Sequence, residues 1–118
     1  MRYFTFALLL FNFFSCTGQP CEKLQENFTS YNEAESKIEK AHFNFTDKVN
    51  TSKSSWVISA RFYSCNKQDG YFILETSKKS YIFQSLPITI WNDFKNAESF
   101  GSFYNKFIRG RYRLILEK

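Results

Sequence analysis

An apolar run from Tyr3 to Phe14, preceded by Arg2 and followed by the small residues Ser15, Cys16 and Gly18, withdraws the start of this chain from any globular fold. A basic start, a hydrophobic stretch too short for a stop-transfer helix and a small-residue exit together form the pattern of a secretory leader. Folding is then left to residues 19–118, enough for one domain with a modest core. No later apolar run approaches membrane-spanning length, so attachment to a bilayer would have to come from the N-terminus.

Cys16, directly after Ser15, resembles the lipidated first residue of a mature bacterial lipoprotein. Plain cleavage after Gly18 is the alternative. Either route leaves Cys21 and Cys65, an even pair in an oxidising compartment, which predicts a disulfide. Closing that loop is worth about 4 kcal/mol on the chain-entropy model. Zinc is disfavoured, because Cys21, Cys65 and His42 lack the paired spacing of a zinc ligand set.

Charge divides the chain. From Cys16 to Asp47 six acids face three lysines; from Lys48 to Lys118 twelve bases face five acids. A basic domain behind an acidic approach suits an anionic partner, or an acidic segment that folds back on the domain. Aromatic residues make up 20% of the chain, which predicts an aromatic core.

Residues 17–29 are polar and read as a tether. Ser30 with Glu33 forms a capping box and opens a short helix to about Ala41, with Tyr31, Ala34, Ile38 and Ala41 on one face. That face is thin, so the helix is expected to pack as a satellite. Phe43 and Phe45 alternate with polar residues, as in a short strand or extended arm. Trp56 to Tyr63 alternates cleanly, with Trp56, Ile58, Ala60 and Phe62 on one side. Asn66 to Gly70 supplies hairpin chemistry ending in Asp-Gly. Tyr71 to Thr76 and Ser80 to Leu86 complete a three-stranded meander.

Pro87 suits the first turn of a helix over residues 88–96. Ser99 can cap a second helix, on which Phe100, Phe103, Tyr104, Phe107 and Ile108 follow an amphipathic spacing. Tyr81 and Phe83 share one strand face and read as core. Asn105, inside the apolar helix, is expected to bond to nearby backbone. Gly110 is placed to end the helix in the left-handed conformation, and Arg111 to Leu116 can run as a final strand. The predicted fold is α+β: a three-stranded antiparallel β-meander with two C-terminal helices on one face, preceded by a short N-terminal helix.

Several of these residues carry a family resemblance. Ser54-Ser55-Trp56 opening a strand, Tyr81-Ile82-Phe83, Leu86-Pro87 before a helix, and above all Asn96 to Asn105 running into Ile108-Arg109-Gly110-Arg111-Tyr112 resemble the KTSC domain. That family is named for a copy at the C-terminus of some lysyl-tRNA synthetases and also occurs as small stand-alone bacterial proteins. The resemblance covers roughly residues 52–114. Phe83 stands where the family usually has a second tyrosine. The implied division is a leader over residues 1–18, a tether with an acidic helix over 19–51, and a KTSC-like domain over 52–118. RNA binding has been suggested for the family.

The basic-aromatic string from Phe103 to Arg113 is the candidate binding surface. Lys106, Arg109, Arg111 and Arg113 would engage phosphate or carboxylate groups, the arginines with fork geometry. Tyr104 and Tyr112 would stack on a base or a sugar. The same residues also have a structural reading. Cations after a helix C-terminus complement its dipole, alternating arginines protect an edge strand, and Arg109 would hold the helix against the sheet.

His42 has no second histidine beside it, and the sequence offers no paired carboxylates in a pocket motif and no Gly-rich phosphate loop. The expected protein is therefore a non-enzymatic binding or interaction module without cofactor or metal. It would be exported to the periplasmic or surface side of a bacterial envelope, anchored by lipid on Cys16 or else secreted. Its partner would be an anionic ligand or envelope protein. RNA binding is the alternative, and export disfavours it.

Overall fold

The computed structural model describes residues 19–116. The leader and Cys16 lie outside the described residues. The elements are α1 (Tyr31–Lys40), β1 (Phe45–Val49), β2 (Val57–Ser64), β3 (Asp69–Thr76), β4 (Ser80–Pro87), α2 (Ile88–Lys95) and α3 (Phe100–Phe103), which widens into a π-helical turn over Tyr104–Ile108.

The sheet has four antiparallel strands in the order β1-β2-β3-β4. The three-stranded expectation is corrected by β1, built from the Phe45 to Val49 stretch that sequence alone leaves between strand and arm. Its register pairs Phe45 with Ser64 and Val49 with Ala60. The polar turn after Asn50 then lets β1 fold back on β2 as a hairpin.

An aromatic row organises the first face. Phe62, Phe72 and Phe83 are cross-strand neighbours on three adjacent strands. Such pairs stabilise a sheet when a helix covers them. Trp91 of α2 stacks on Phe62 with centroids 5.5 Å apart, and Phe94 meets Phe72 edge-on at 5.1 Å. Phe100, Tyr104 and Ile108 extend the same cluster from α3 and its π turn. These are the i, i+4 and i+8 members of the predicted stripe. Phe103 is half-buried and Phe107 stays 44% exposed.

The second face is covered too, by residues that the sequence leaves as tether and satellite. Leu24, Phe28, Ala34, Ile38 and Leu114 pack on Ile73 and Ile82. The segment from Gln19 is tied down rather than loose. Cys21 donates to the His42 carbonyl at 2.9 Å, and His42 donates to the Gln19 carbonyl at 2.8 Å. Cys21 and Cys65 form the predicted disulfide, with Cα atoms 5.8 Å apart. Ser30 caps α1 by accepting from the Glu33 amide at 3.1 Å, while the Glu33 carboxylate accepts from the Thr29 amide at 2.7 Å.

Two bulges break the simple alternation. Between Val57 and Ser59 the β2–β3 register shifts, so Val57 enters the core and Ile58 is 56% exposed. The predicted inward Ile58 is thus corrected by one extra residue on β2. On β4 the register breaks between Gly70↔Leu86 and Phe72↔Phe83, with Ser85 at φ 58°. Phe83 and Leu86, three residues apart, consequently share the first face.

The tail is not a final strand. Tyr112 packs on the first cluster and Leu114 is buried in the second, so the chain crosses the β4 edge between them. The Arg113 carbonyl accepts from the Gln84 amide at 3.3 Å, and the Ile115 amide donates to the Gln84 side chain at 3.0 Å. A bridge between Phe28 and Leu116 ends the path. Crossing from one face to the other is incompatible with a regular strand, which keeps its two rows of side chains on fixed sides.

Candidate functional site

The π turn delivers the basic string to the surface. An α-helix ending at Phe103 that continues with wider spacing keeps Tyr104 and Ile108 on the core side while exposing Asn105, Lys106 and Phe107. Gly110, at φ 79°, then reverses the chain as the sequence predicts. Lys106, Arg109, Arg111 and Arg113 are all exposed, and among the described residues none of them forms an ion pair. Arg111 Nε donates to the Lys106 carbonyl at 3.1 Å, satisfying one of the open carbonyls at the helix end.

The two tyrosines sit apart from these cations in role. Tyr104 is 8% exposed and packs against Trp56, Tyr81 and Phe83. Burial pushes its hydroxyl above the usual tyrosine range, with Tyr81 adding to the rise and Arg109 opposing it. Tyr112 is half-buried against the same cluster. A ring as buried as that of Tyr104 offers no platform for a base. Two further expectations are corrected here. The Asn105 side chain accepts from Arg109 Nη1 at 3.4 Å rather than bonding to backbone. Arg109 itself is exposed, so it does not hold the helix against the sheet.

A second feature lies beside the disulfide, at the opposite face of the sheet. A groove of about 380 Å³ opens between the N-terminal segment, the β2–β3 hairpin, the β4 bulge and the tail. Phe43, Tyr63 and Tyr71 line it, with Phe43 centred 5.5 Å from Tyr63 and 6.2 Å from Tyr71. Glu26 and Asp69 supply carboxylates, and Asn27, Asn66 and Gln84 supply amides. Burial raises the hydroxyls of both tyrosines. The groove is not foreseen from the sequence, since its walls come from five separate stretches. The one signal that could have found it is the Cys21–Cys65 pairing, which brings the first two of them together.

The hairpin turn at its rim is built by Asn66 rather than by Asp-Gly. The Asn66 side-chain oxygen accepts from the amides of Gln68 at 2.8 Å and Asp69 at 3.0 Å, with Lys67 at φ 64°. Buried Ser64 donates to the Asp69 carbonyl at 2.6 Å and accepts from the Lys67 amide. Cys21, Cys65 and the Glu22 carboxylate gather nearby. The two sulfurs are bonded to each other, which leaves no thiolate for a metal ion.

A model of the KTSC domain family matches residues 72–112, from within β3 through the π turn to Tyr112. That stretch belongs to the KTSC family. It holds Phe72 and Phe83 of the aromatic row, both C-terminal helices and most of the basic string. No curated protein and no solved structure matches the chain. The KTSC match leaves out β1, β2, α1 and the disulfide. The groove therefore combines KTSC residues, Gln84 and Ser85 of β4, with walls from outside the matched stretch.

Proposed function

We propose that this chain is an exported, non-enzymatic binding module that uses its basic C-terminal rim to hold an anionic partner of the bacterial envelope. The observation that carries the reading is the presence of four exposed cations within eight residues, Lys106 to Arg113, none of which forms an ion pair among the described residues. Arg61 and Lys95, by contrast, are spent on internal partners: Arg61 on Glu35 and Glu39, Lys95 on Asp47. Exposed Phe107 beside Lys106 adds an apolar contact to the charged rim.

Export is supported by the leader and is consistent with the Cys21–Cys65 bond. Lipid on Cys16 would hold the rim close to an anionic membrane surface, where each nearby basic residue adds to attachment. The RNA reading draws on the same cations but loses Tyr104 as a stacking group, because it is buried in the core, while Tyr112 is half-buried against it.

The test compares wild type with the Arg109/Arg111/Arg113→Ala variant on anionic vesicles, an acidic polysaccharide and single-stranded RNA across a salt series. Wild type is expected to bind the vesicles or the polysaccharide, to weaken as salt rises, and to lose most of that binding in the variant. Equal, salt-independent behaviour of the two proteins overturns the reading, and a preference for RNA replaces it with nucleic-acid binding.

A further inference from the structure

We propose that the groove beside the Cys21–Cys65 disulfide binds a small organic cation, a substituted ammonium or a guanidinium. Its wall is aromatic: Phe43, Tyr63 and Tyr71 all line it, with the Phe43 ring packed against both tyrosines. Its charges are Glu26 and Asp69, and among the described residues no lysine or arginine lines it. This is an anionic, aromatic cavity in a chain of net charge +5. Ring faces attract a cation through their quadrupoles, and carboxylates beside them select positive charge over a neutral guest. The volume, about 380 Å³, is in the range of small-ligand sites.

The site is also held in shape before any ligand arrives. The disulfide fixes one wall. Gln84 ties three segments together, donating to the Glu26 carbonyl at 2.7 Å and accepting from the Ile115 amide at 3.0 Å. Ser85, next to Gln84 and lining the groove, keeps a left-handed backbone that a non-glycine residue adopts only when its surroundings enforce it. Preorganisation of this kind lowers the ordering cost of binding.

The inference is independent of the basic rim, which lies outside the groove. Titration of the disulfide-bonded protein with choline and with argininamide, followed by the side-chain NMR signals of Tyr63 and Tyr71, tests it. Maltose serves as the neutral probe and sodium acetate as the anionic one. Saturable shifts from at least one of the two cations, absent with acetate and weaker with maltose, are the expected result. The paired Glu26→Gln and Asp69→Asn variant should lose about tenfold or more in affinity, the scale of a lost charge-assisted contact. Phe43→Leu should lose affinity while the urea midpoint confirms a folded protein. The Arg109/Arg111/Arg113→Ala variant should bind the cation as wild type does. Absence of saturable shifts with both cations, maltose binding as tight as theirs, or full affinity in the Glu26/Asp69 variant each overturns the assignment.

Discussion

The Asp47 carboxylate on β1 accepts the indole N–H of Trp91 on α2 at 2.9 Å, which locks the edge strand to the helix that covers the aromatic row. The same oxygen accepts from Lys95 Nζ at 2.6 Å. Trp91 is fully buried, so this bond satisfies a donor that has no water to turn to. Burial alone would raise the Asp47 carboxyl, but the hydrogen bonds from Lys95 and Trp91 outweigh it and hold the group below its usual value.

Asp47→Ala is expected to destabilise the fold by about 1–3 kcal/mol, the cost of stranding a buried donor. Asp47→Asn, which keeps an acceptor for the indole but loses the charge pair and the exposed acceptor for the Lys48 amide, should cost less, because exposed pairs are worth about 0–1 kcal/mol. The pH dependence has a definite sign. A carboxyl with a depressed folded pKa contributes stability above its unfolded value, and that contribution fades as pH falls through the folded one. Urea midpoints measured at neutral pH and below pH 3.8, the ordinary value for this group, should therefore converge between wild type and Asp47→Asn in acid. A constant gap across that window would assign the stabilisation elsewhere.

The disulfide has a separable effect. Removing it as Cys21→Ser/Cys65→Ser should lower stability by about 4 kcal/mol, given the 44-residue separation of its ends. Its local signature is hydrogen exchange. The amides of Cys21 and His42, which bond across the N-terminal segment, should lose protection first. Ile73 and Ile82, fully buried in the centre of β3 and β4, should keep theirs until global unfolding. Simultaneous loss at all four positions would show that the segment and the sheet open as one unit.

What the sequence made legible follows from local chemistry. Ser30, Ser99 and Gly110 act where their side chains or backbone freedom predict, because capping and a left-handed turn are decided within a few residues. Phe100, Tyr104 and Ile108 reach the core because the helical period survives the change to wider winding. Ile58 misled because a bulge inserts one residue without any Gly or Pro to announce it. The segment containing Leu24 and Phe28 read as tether because two apolar residues among many polar ones give no period. It is buried by long-range contacts with Ile73, Ile82 and Leu114. The predicted cations were found exposed, whereas Tyr104 is buried, as its place in the helical period already implied, and Tyr112 is half-buried against the same cluster, where no period marks it.

Tyr104 offers a test of that distinction. Among the described residues its hydroxyl has no hydrogen-bond partner, so Tyr104→Phe should leave neutral-pH stability within about 0.5 kcal/mol. Tyr104→Ala, which empties a site against Trp56, Tyr81 and Phe83, should cost about 3–5 kcal/mol. Because burial raises the folded pKa above 10.0, wild type keeps this contribution below that pH and loses it as pH climbs further. Tyr104→Phe should accordingly lose less stability than wild type in alkaline denaturation. Equal loss would place the titrating group elsewhere, at Tyr63 or Tyr71.

Gly70 and Gly110 are irreplaceable for different reasons, and alanine should separate them. A Cβ on Gly70 would run into the Tyr63 carbonyl and sit 2.9 Å from Ser64 Cα, both backbone atoms that a paired strand cannot move aside. Gly70→Ala should therefore cost at least about 1–3 kcal/mol, the range for overpacking, and disturb the β2–β3 register. At Gly110 nothing lies within 4 Å of the added carbon, so the penalty there is only the left-handed backbone, about 1–2 kcal/mol. The two variants should differ in reach as well as size. Gly70→Ala should shift the Tyr63 and Tyr71 signals that line the groove, and Gly110→Ala should confine its changes to the residues around Ile108 and Tyr112. Amide chemical shifts of both variants decide the matter, and a Gly110→Ala change that propagates to Tyr63 would refute the separation.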